Sequence, residues 1–155
     1  MTLAFIFPGQ GTQTLGMGEE IAKIFPEAKL LFEEVDDALK QNLTKLMFEG
    51  PEEDLVLTEN AQPALMAVSM ALIKSLQSLG SFEIAEKCKF VAGHSLGEYS
   101  ALTAAQSFKI PDAARLLKER GRAMQEAVPL GEGAMAALIG IDLEQAEQIL
   151  SLIHI

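Results

Sequence analysis

The chain has 155 residues, of which 49% are hydrophobic and 22% charged, a balance typical of one soluble globular domain. Its formal net charge of −10 argues against nucleic acid as a partner. The sequence has no run of about eighteen apolar residues, which argues against a membrane span.

The remaining composition indicates the compartment. The chain enters an apolar segment at once, without the basic region and apolar core of a signal peptide. A single cysteine, Cys88, cannot form an internal disulfide and indicates a reducing environment. Two histidines without ligand spacing predict no metal site. We therefore expect a cytoplasmic protein.

The first element in chain order is a predicted strand. Residues 3–7 form a continuous apolar run, typical of a strand buried on both faces in a parallel sheet. The loop that follows holds Gln10 between Gly9 and Gly11. Such loops are where α/β sheets place their sites, although a plain turn explains these residues equally well.

Apolar residues then recur at helical spacing in four segments: residues 19–40 with a break at Pro26, residues 43–48, a single turn at 52–55, and residues 63–79. The last segment is apolar nearly all round, which predicts burial against a sheet, with Pro63 in its first turn. The acidic residues within 33–37 are interpreted as a solvated face rather than a paired-carboxylate site.

The most informative stretch is a G-x-S-x-G element, Gly93–Gly97, which lies between an apolar strand and a helix of small residues. This strand–turn–helix arrangement is called a nucleophile elbow. Such a turn exposes the hydroxyl of Ser95, and glycines at both ends avoid steric collision. The helix that begins after Ser95 directs free N–H groups at the site. The backbone N–H of Leu96 is then placed to bind an oxyanion.

One more helix is predicted over residues 112–128, with Asp112 as its N-cap. At 100° per residue, one face combines Arg120 with the following apolar residues: Ala113, Leu116, Leu117, Met124 and Ala127. Arg115, Lys118 and Arg122 fall on the opposite face. An arginine on a buried face needs a partner. Spacing alone supports equally a structural ion pair or snorkelling stem and a guanidinium that grips a substrate carboxylate.

The C-terminal part reads as a Gly-rich link at 131–133, a strand over 134–140, and a helix capped by Asp142 that ends at Ile149. Residues 150–155 correspond to the translation of CTG TCT CTT ATA CAC ATC, a transposon-end adapter used in sequencing libraries. We therefore expect residues 150–155 to be a non-native tail and the chain to be an N-terminal fragment.

Several motifs together resemble the malonyl-CoA:acyl carrier protein transacylases of bacterial type II fatty acid synthesis. In chain order, they are Phe5-Ile6-Phe7-Pro8-Gly9-Gln10-Gly11, Leu15-Gly16-Met17-Gly18, Gln62-Pro63-Ala64-Leu65, the elbow at residues 92–102, Arg120-Gly121 with Met124-Gln125, and Gly133-Ala134-Met135-Ala136-Ala137. They extend over residues 3 to about 149.

The resemblance implies a role for each matching residue. Ser95 would carry the malonyl group, and Leu96 and Gln10 would supply the N–H groups of the oxyanion hole. Arg120 would hold the malonyl carboxylate, which favours malonyl over acetyl. In addition, His94 would line the site and Gln62 would lie near the acyl pocket. The substrates would be malonyl-CoA and acyl carrier protein, with no cofactor and no metal.

The resemblance also implies a fold and its limits. An α/β-hydrolase-like acyltransferase core, incomplete here, would occupy residues 1–128, and a ferredoxin-like small subdomain would begin over residues 129–149. The family's general base, a histidine in the second half, has no counterpart in this chain. We expect an inactive fragment of a protein that is a monomer when complete.

Alternative functions use the same elbow. A serine thioesterase or esterase is disfavoured by Arg120 and by the loop around Gln10. A polyketide synthase acyltransferase domain is disfavoured by the start directly before the first strand and by Gln13-Thr14, where those domains usually place tryptophan after the glutamine. The chain as written could also be a misfolded piece with exposed sheet edges. The face formed by Arg115, Lys118 and Arg122 is a candidate docking surface for an acidic carrier protein.

Overall fold

The computed structural model describes residues 3–128 and 138–152. Strands β1 (Ala4–Phe7) and β2 (Phe90–Gly93) pair in parallel, with Ala4 opposite Phe90 and Phe7 opposite Gly93. Parallel neighbours need a crossover connection, which the helices between them supply. This register places the C-terminal ends of both strands at one edge of the sheet.

Helices form most of the described chain: α1 (Glu19–Ile24), α2 (Pro26–Leu39), α3 (Leu43–Glu49), α4 (Glu52–Leu55), α5 (Thr58–Gly80), α6 (Ile84–Lys87), α7 (Leu96–Ala104), α8 (Ile110–Ala127) and α9 (Leu143–Leu152). Helix α5 is central and packs against α2, α7 and α8, while α7 also lies against both strands. Large apolar side chains from these elements, such as Phe32, Met66 and Leu117, are fully buried between them. No helix of the described ranges is both long and apolar enough to cross a membrane.

Several predicted elements are confirmed. The helix over 19–40 breaks as expected: Pro26 takes the first position of α2, where its missing N–H costs nothing. The single turn at Glu52–Leu55 is present as α4. The Asp142 cap is confirmed as well, because Gln145 N–H donates to Asp142 Oδ1 over 2.8 Å. Helix α9 continues past Ile149 to Leu152, and most of the predicted link and strand lie outside the described residues.

The prediction that β1 is buried on both faces is wrong for the described chain. Phe7 is buried, but Ile6 on the opposite face is 79% exposed and Leu3 is 47% exposed. The reason is that α7 covers one face of the strand pair, and no described element covers the other. Only one of the two apolar faces of β1 is therefore buried by the described residues.

The start of α5 was also predicted wrongly. The helix begins at Thr58, and Pro63 lies inside it rather than in its first turn. The extra residues are held by tertiary contacts with α8, since a Cβ on Gly121 would come within 2.4 Å of Glu59 Cα. Helix α5 also packs chiefly on helices rather than on the sheet, and Leu79 near its end is 70% exposed.

Two polar details of the helices differ from expectation. Helix α8 begins at Ile110, so Asp112 lies inside the first turn and binds Arg115 instead of capping the helix. In the acidic segment of α2, Asp36 is half-buried and accepts the backbone N–H of Thr44 over 2.9 Å. Burial, the largest effect, raises the pKa of Asp36. Its neighbour Asp37 is exposed, as expected.

Charged groups tie α5 to α8. Lys118 Nζ lies 3.0 Å from Glu59 Oε2 and donates to Asn60 Oδ1 over 2.8 Å, while Arg122 Nε donates to the same Glu59 oxygen over 3.1 Å. Only 13% of the Lys118 side chain is exposed, although it lies on the face of α8 opposite the apolar stripe. The hydrogen bond from Lys118, and then that from Arg122, lowers the pKa of Glu59.

We predict that Gly121→Ala destabilises the fold. Alanine favours a helix interior over glycine by about 1 kcal/mol, but its Cβ would collide with the α5 backbone, and overpacking costs about 1–3 kcal/mol. The free energy of unfolding, measured by urea denaturation, should fall. Ala123→Gly, at an exposed position of the same helix, measures the propensity effect alone. A gain in stability for Gly121→Ala would contradict the close helix contact.

We also predict that the Glu59 cluster makes stability pH-dependent. Because its pKa is lowered below the ordinary 4.5, its stabilising contribution is complete above that value and is lost as pH falls through the lower folded-state pKa. Glu59→Gln should therefore lower the midpoint of thermal unfolding at pH 7 and flatten its decline below about pH 5. Glu53→Gln, on exposed α4, is the matched control. An unchanged pH profile in Glu59→Gln would refute this assignment.

Candidate active site

Ser95 forms the tip of a tight turn between β2 and α7. Its backbone has φ 55° and ψ −116°, a conformation that residues other than glycine rarely adopt. Such strain costs about 1–3 kcal/mol and persists only where the surroundings enforce it. The side chain of Ser95 is exposed, as the elbow pattern predicts.

Close backbone contacts enforce this turn. A Cβ on Gly93 would lie 2.0 Å from the carbonyl carbon of Gly97, and a Cβ on Gly97 would lie 2.4 Å from the carbonyl oxygen of Phe7. Real Cβ atoms essentially never lie so close to another heavy atom. The sequence-based requirement for glycine at both positions is confirmed, and Gly97 additionally seats the helix on the end of β1.

In the first turn of α7, two backbone N–H groups donate hydrogen bonds to the preceding turn and one remains available. Gly97 N–H donates to His94 O over 2.9 Å, and Glu98 N–H donates to Ser95 O over 3.2 Å. The N–H of Leu96 donates to no group within residues 3–128 and 138–152. The expectation of several free helix N–H groups therefore reduces to Leu96 alone.

The loop after β1 lies beside this turn. Phe7 is paired with Gly93, and the N–H of His94 donates to Phe7 O over 3.4 Å, so both strands end at the same place. Gln10 follows in the loop, where its Nε2 donates to Thr58 Oγ1 over 3.4 Å. Like that of Leu96, its backbone N–H has no acceptor in the described part of the chain.

Arg120 reaches the serine from α8. Its Nη2 donates to Ser95 Oγ over 3.0 Å, and its Nη1 donates to Gln62 Oε1 over 2.6 Å. The guanidinium carbon also lies 5.9 Å from the ring centroid of Tyr99 on α7. Three helices thus fix one cation beside an exposed hydroxyl.

The neighbouring basic residues form ion pairs within the described residues, whereas Arg120 does not. Arg115 Nη1 lies 2.8 Å from Asp112 Oδ1, and Lys118 and Arg122 share Glu59. Within the described residues no carboxylate lies within 4.0 Å of Arg120, although acids outnumber bases 22 to 12 in the sequence. The ion-pair interpretation of Arg120 therefore fails for this part of the chain.

The buried Gln62 orients the guanidinium. Its side chain is fully buried, its Oε1 accepts from Arg120, and its Nε2 lies 3.3 Å from Met124 Sδ. A buried amide that is held at both ends has a fixed orientation, so its oxygen faces Arg120. Sequence reasoning did not assign site roles to Tyr99 and Met124. Helical spacing could have placed them near the site, since Tyr99 follows Ser95 by one turn and Met124 follows Arg120 by one turn.

His94 lies in the turn but is not paired with the nucleophile. Its ring packs over Gly9, where an added Cβ would come within 2.8 Å of Nδ1. No hydrogen bond joins the imidazole to Ser95 in the described structure. Across the described residues, no three His, Cys, Asp or Glu side chains cluster as a metal would need.

Comparison with known proteins decides the family. A family model described as "Acyl transferase domain" matches residues 4–151, nearly the whole chain. The chain belongs to the acyl transferase domain family. Ser95, Leu96, Gln10, Gln62 and Arg120 all fall within the matched region.

Individual relatives agree with this family assignment. The chain is 49% identical over 147 residues to a malonyl CoA-acyl carrier protein transacylase of Bacillus subtilis (strain 168), covering 95% of this chain and 45% of that protein. The corresponding protein of Escherichia coli (strain K12) is 48% identical over 139 residues, which cover 90% of this chain and 44% of the relative. The chain thus spans about half the length of the curated relatives it matches.

Solved structures share the fold. An acyl-carrier-protein S-malonyltransferase from Bartonella henselae superposes with a TM-score of 0.93 at 57% identity, covering 99% of this chain and 48% of that one. A malonyl-transacylase solved in complex with a type II polyketide synthase acyl carrier protein gives a TM-score of 0.89 at 42% identity, with coverage of 99% and 48%. The architecture is therefore an α/β acyltransferase fold, mostly helical with a small parallel sheet.

We predict that Gly93→Ala disrupts the elbow. Its Cβ has no space against the Gly97 carbonyl, so the free energy of unfolding should fall by at least about 3 kcal/mol, the upper range for overpacking. Chemical denaturation monitored by circular dichroism measures this loss. Ala92→Ser, at the exposed preceding position, is the control and should be nearly neutral. A stable Gly93→Ala protein would show that the turn is looser than the structure indicates.

Proposed function

We propose that this chain contains the nucleophile-bearing part of an acyltransferase that moves a malonyl group from coenzyme A to the phosphopantetheine thiol of an acyl carrier protein. The observation that carries the proposal is the contact between Arg120 and Ser95, which puts an unneutralised cation beside an exposed serine hydroxyl. The names of the relatives, all malonyl transacylases, support the same substrate.

The chemistry proceeds through a covalent acyl-serine. Ser95 Oγ attacks the thioester carbonyl of malonyl-CoA, the new C–O bond forms, and the C–S bond breaks to release coenzyme A. The hydroxyl proton passes to a base and then to the leaving thiolate. In the second half, the phosphopantetheine thiol attacks the malonyl-Ser95 ester, a C–S bond forms and the C–O bond breaks. The thiol proton passes through the base to Ser95 Oγ, which restores the free serine. The base is proposed to lie outside this chain, as in the family it resembles. No cofactor is needed.

The developing oxyanion is proposed to bind the backbone N–H groups of Leu96 and Gln10. Both donors are uncommitted in the described structure, and preorganised donors of this kind lower the barrier to acyl transfer. They belong to the two chain segments that the pairing of Phe7 with Gly93 brings to one edge of the sheet. His94 is proposed to line the same pocket, without acting as the base.

Arg120 is proposed to select the acyl group. A guanidinium can hold a carboxylate by two parallel hydrogen bonds, and Gln62 fixes its position. An acetyl group offers no carboxylate, so it forgoes this interaction and leaves Arg120 without an anionic partner. This difference favours malonyl-CoA over acetyl-CoA.

The domain assignment extends the resemblance. Residues 1–128 are proposed to form the N-terminal part of an α/β-hydrolase-like catalytic subdomain, and residues 129–149 to begin a ferredoxin-like subdomain. Residues 150–155 are proposed to be a non-native tail. The acyl carrier protein is proposed as partner of the complete protein, a cytoplasmic monomer. The face of Arg115, Lys118 and Arg122 is not retained as its docking surface, because all three side chains are engaged in internal ion pairs with Asp112 or Glu59.

We predict that Arg120 makes the chain bind malonate in preference to acetate. In NMR titrations of the 155-residue protein, Arg120→Ala should weaken malonate binding about tenfold or more, the loss expected for charge-assisted hydrogen bonds. Arg115→Ala removes the same charge from the same helix, away from Ser95, and should leave binding unchanged.

The acyl step is tested on the same proteins with malonyl-CoA labelled in its malonyl group. Mass spectrometry should locate any label on Ser95 and none on Ser95→Ala. Equal binding of acetate and malonate, or an Arg120→Ala protein that binds malonate normally, would refute the malonyl assignment and leave an esterase of the same elbow type as the better hypothesis.

A further inference from the structure

Arg120 has a second partner that the proposed function does not use. Its Nη2 donates to Ser95 Oγ, the atom that must attack the thioester. We propose that this contact masks the nucleophile at rest, and that a carboxylate on the acyl group releases Ser95 by drawing the guanidinium to itself. The inference rests on the proposed function and concerns the regulation of the same site.

The competition follows from the shape of a guanidinium. A carboxylate can accept two parallel hydrogen bonds on the edge formed by Nη1 and Nη2 or on the edge formed by Nε and Nη2. Nη2 carries one N–H bond on each edge, and the edge that faces Ser95 uses the N–H bond that holds its hydroxyl. Gln62 already engages Nη1 over 2.6 Å, and Gln62 is fully buried, so the cation has little freedom to turn away. A carboxylate that binds on the edge facing Ser95 therefore displaces the hydroxyl from Nη2.

The resting contact weakens the serine as a nucleophile. A hydrogen bond from a cation commits one oxygen lone pair of the hydroxyl and directs it at Arg120 instead of at a carbonyl. When the carboxylate takes the cation, the positive charge is neutralised and the lone pair is restored. Binding of the correct acyl group and release of the nucleophile from Arg120 are then one event.

The mask adds a second stage of selectivity. An acyl group without a carboxylate loses its anchor and also meets a serine that Arg120 still occupies. Discrimination against acetyl groups thus exceeds what the missing anchor alone would give.

The test depends on whether the affinity for malonate rises or falls when the Ser95 hydroxyl is removed. If Ser95 competes with the ligand for Arg120, removing its hydroxyl should tighten malonate binding to the 155-residue chain about threefold to tenfold, within the range for the net strength of one ordinary hydrogen bond. Ser95→Ala removes the acceptor, and Ser95→Gly does the same while suiting the positive φ, so one variant remains informative if the other folds poorly. Ser107→Ala makes the same change at an exposed serine away from the site and should have no effect.

The outcomes separate the mask from the function. Tighter malonate binding in both Ser95 variants, with the loss in Arg120→Ala retained, supports the mask. Binding that is unchanged or weaker in folded Ser95 variants, while Arg120 is still required, overturns the mask and leaves the malonyl assignment intact. Failure of the folded parent chain to bind malonate at all overturns both.

Discussion

The turn at Ser95 depends on backbone contacts that leave no space for a side chain. Gly93 touches Gly97, and Gly97 touches the carbonyl of Phe7, so strand, turn and helix meet without intervening atoms. This contact holds Ser95 in a strained conformation and aligns the loop containing Gln10 with the start of α7. The positions of the hydroxyl and of the two uncommitted N–H groups follow from it.

Among the basic residues near the site, Arg120 differs in that its partner is neutral. An acidic protein offers many carboxylates, and Lys118 and Arg122 are both engaged by Glu59 at the α5–α8 contact. Arg120, on the same helix, is instead held by the neutral amide of Gln62. A neutral acceptor fixes the position of a guanidinium without cancelling its charge. The cation therefore remains able to attract an anion beside Ser95.

Much of the site could be predicted because it is encoded by local patterns. The elbow needs only its two glycines and the strand and helix on either side, and the apolar stripe of α8 singles out Arg120 without any tertiary information. The partners of Arg120 could not be predicted in this way. Gln62 and Ser95 lie far from it in sequence, and only the packing of α5, α7 and α8 brings them together. The early start of α5 was missed for the same reason, since its first turn is stabilised by Gly121 and Lys118 rather than by its own sequence.

The wrong prediction for β1 has a different origin. The apolar pattern of the strand is real, but the described residues cover only one of its faces. A continuous apolar run suits a strand with both faces covered, yet Ile6 and Phe90 are 79% and 64% exposed among the described residues. The matched relatives are about twice as long as this chain. An apolar strand face is costly to leave in water, so β1 and β2 are suited to a sheet with further elements on that side. The same consideration makes this exposed face an aggregation hazard, independent of the chemistry at Ser95.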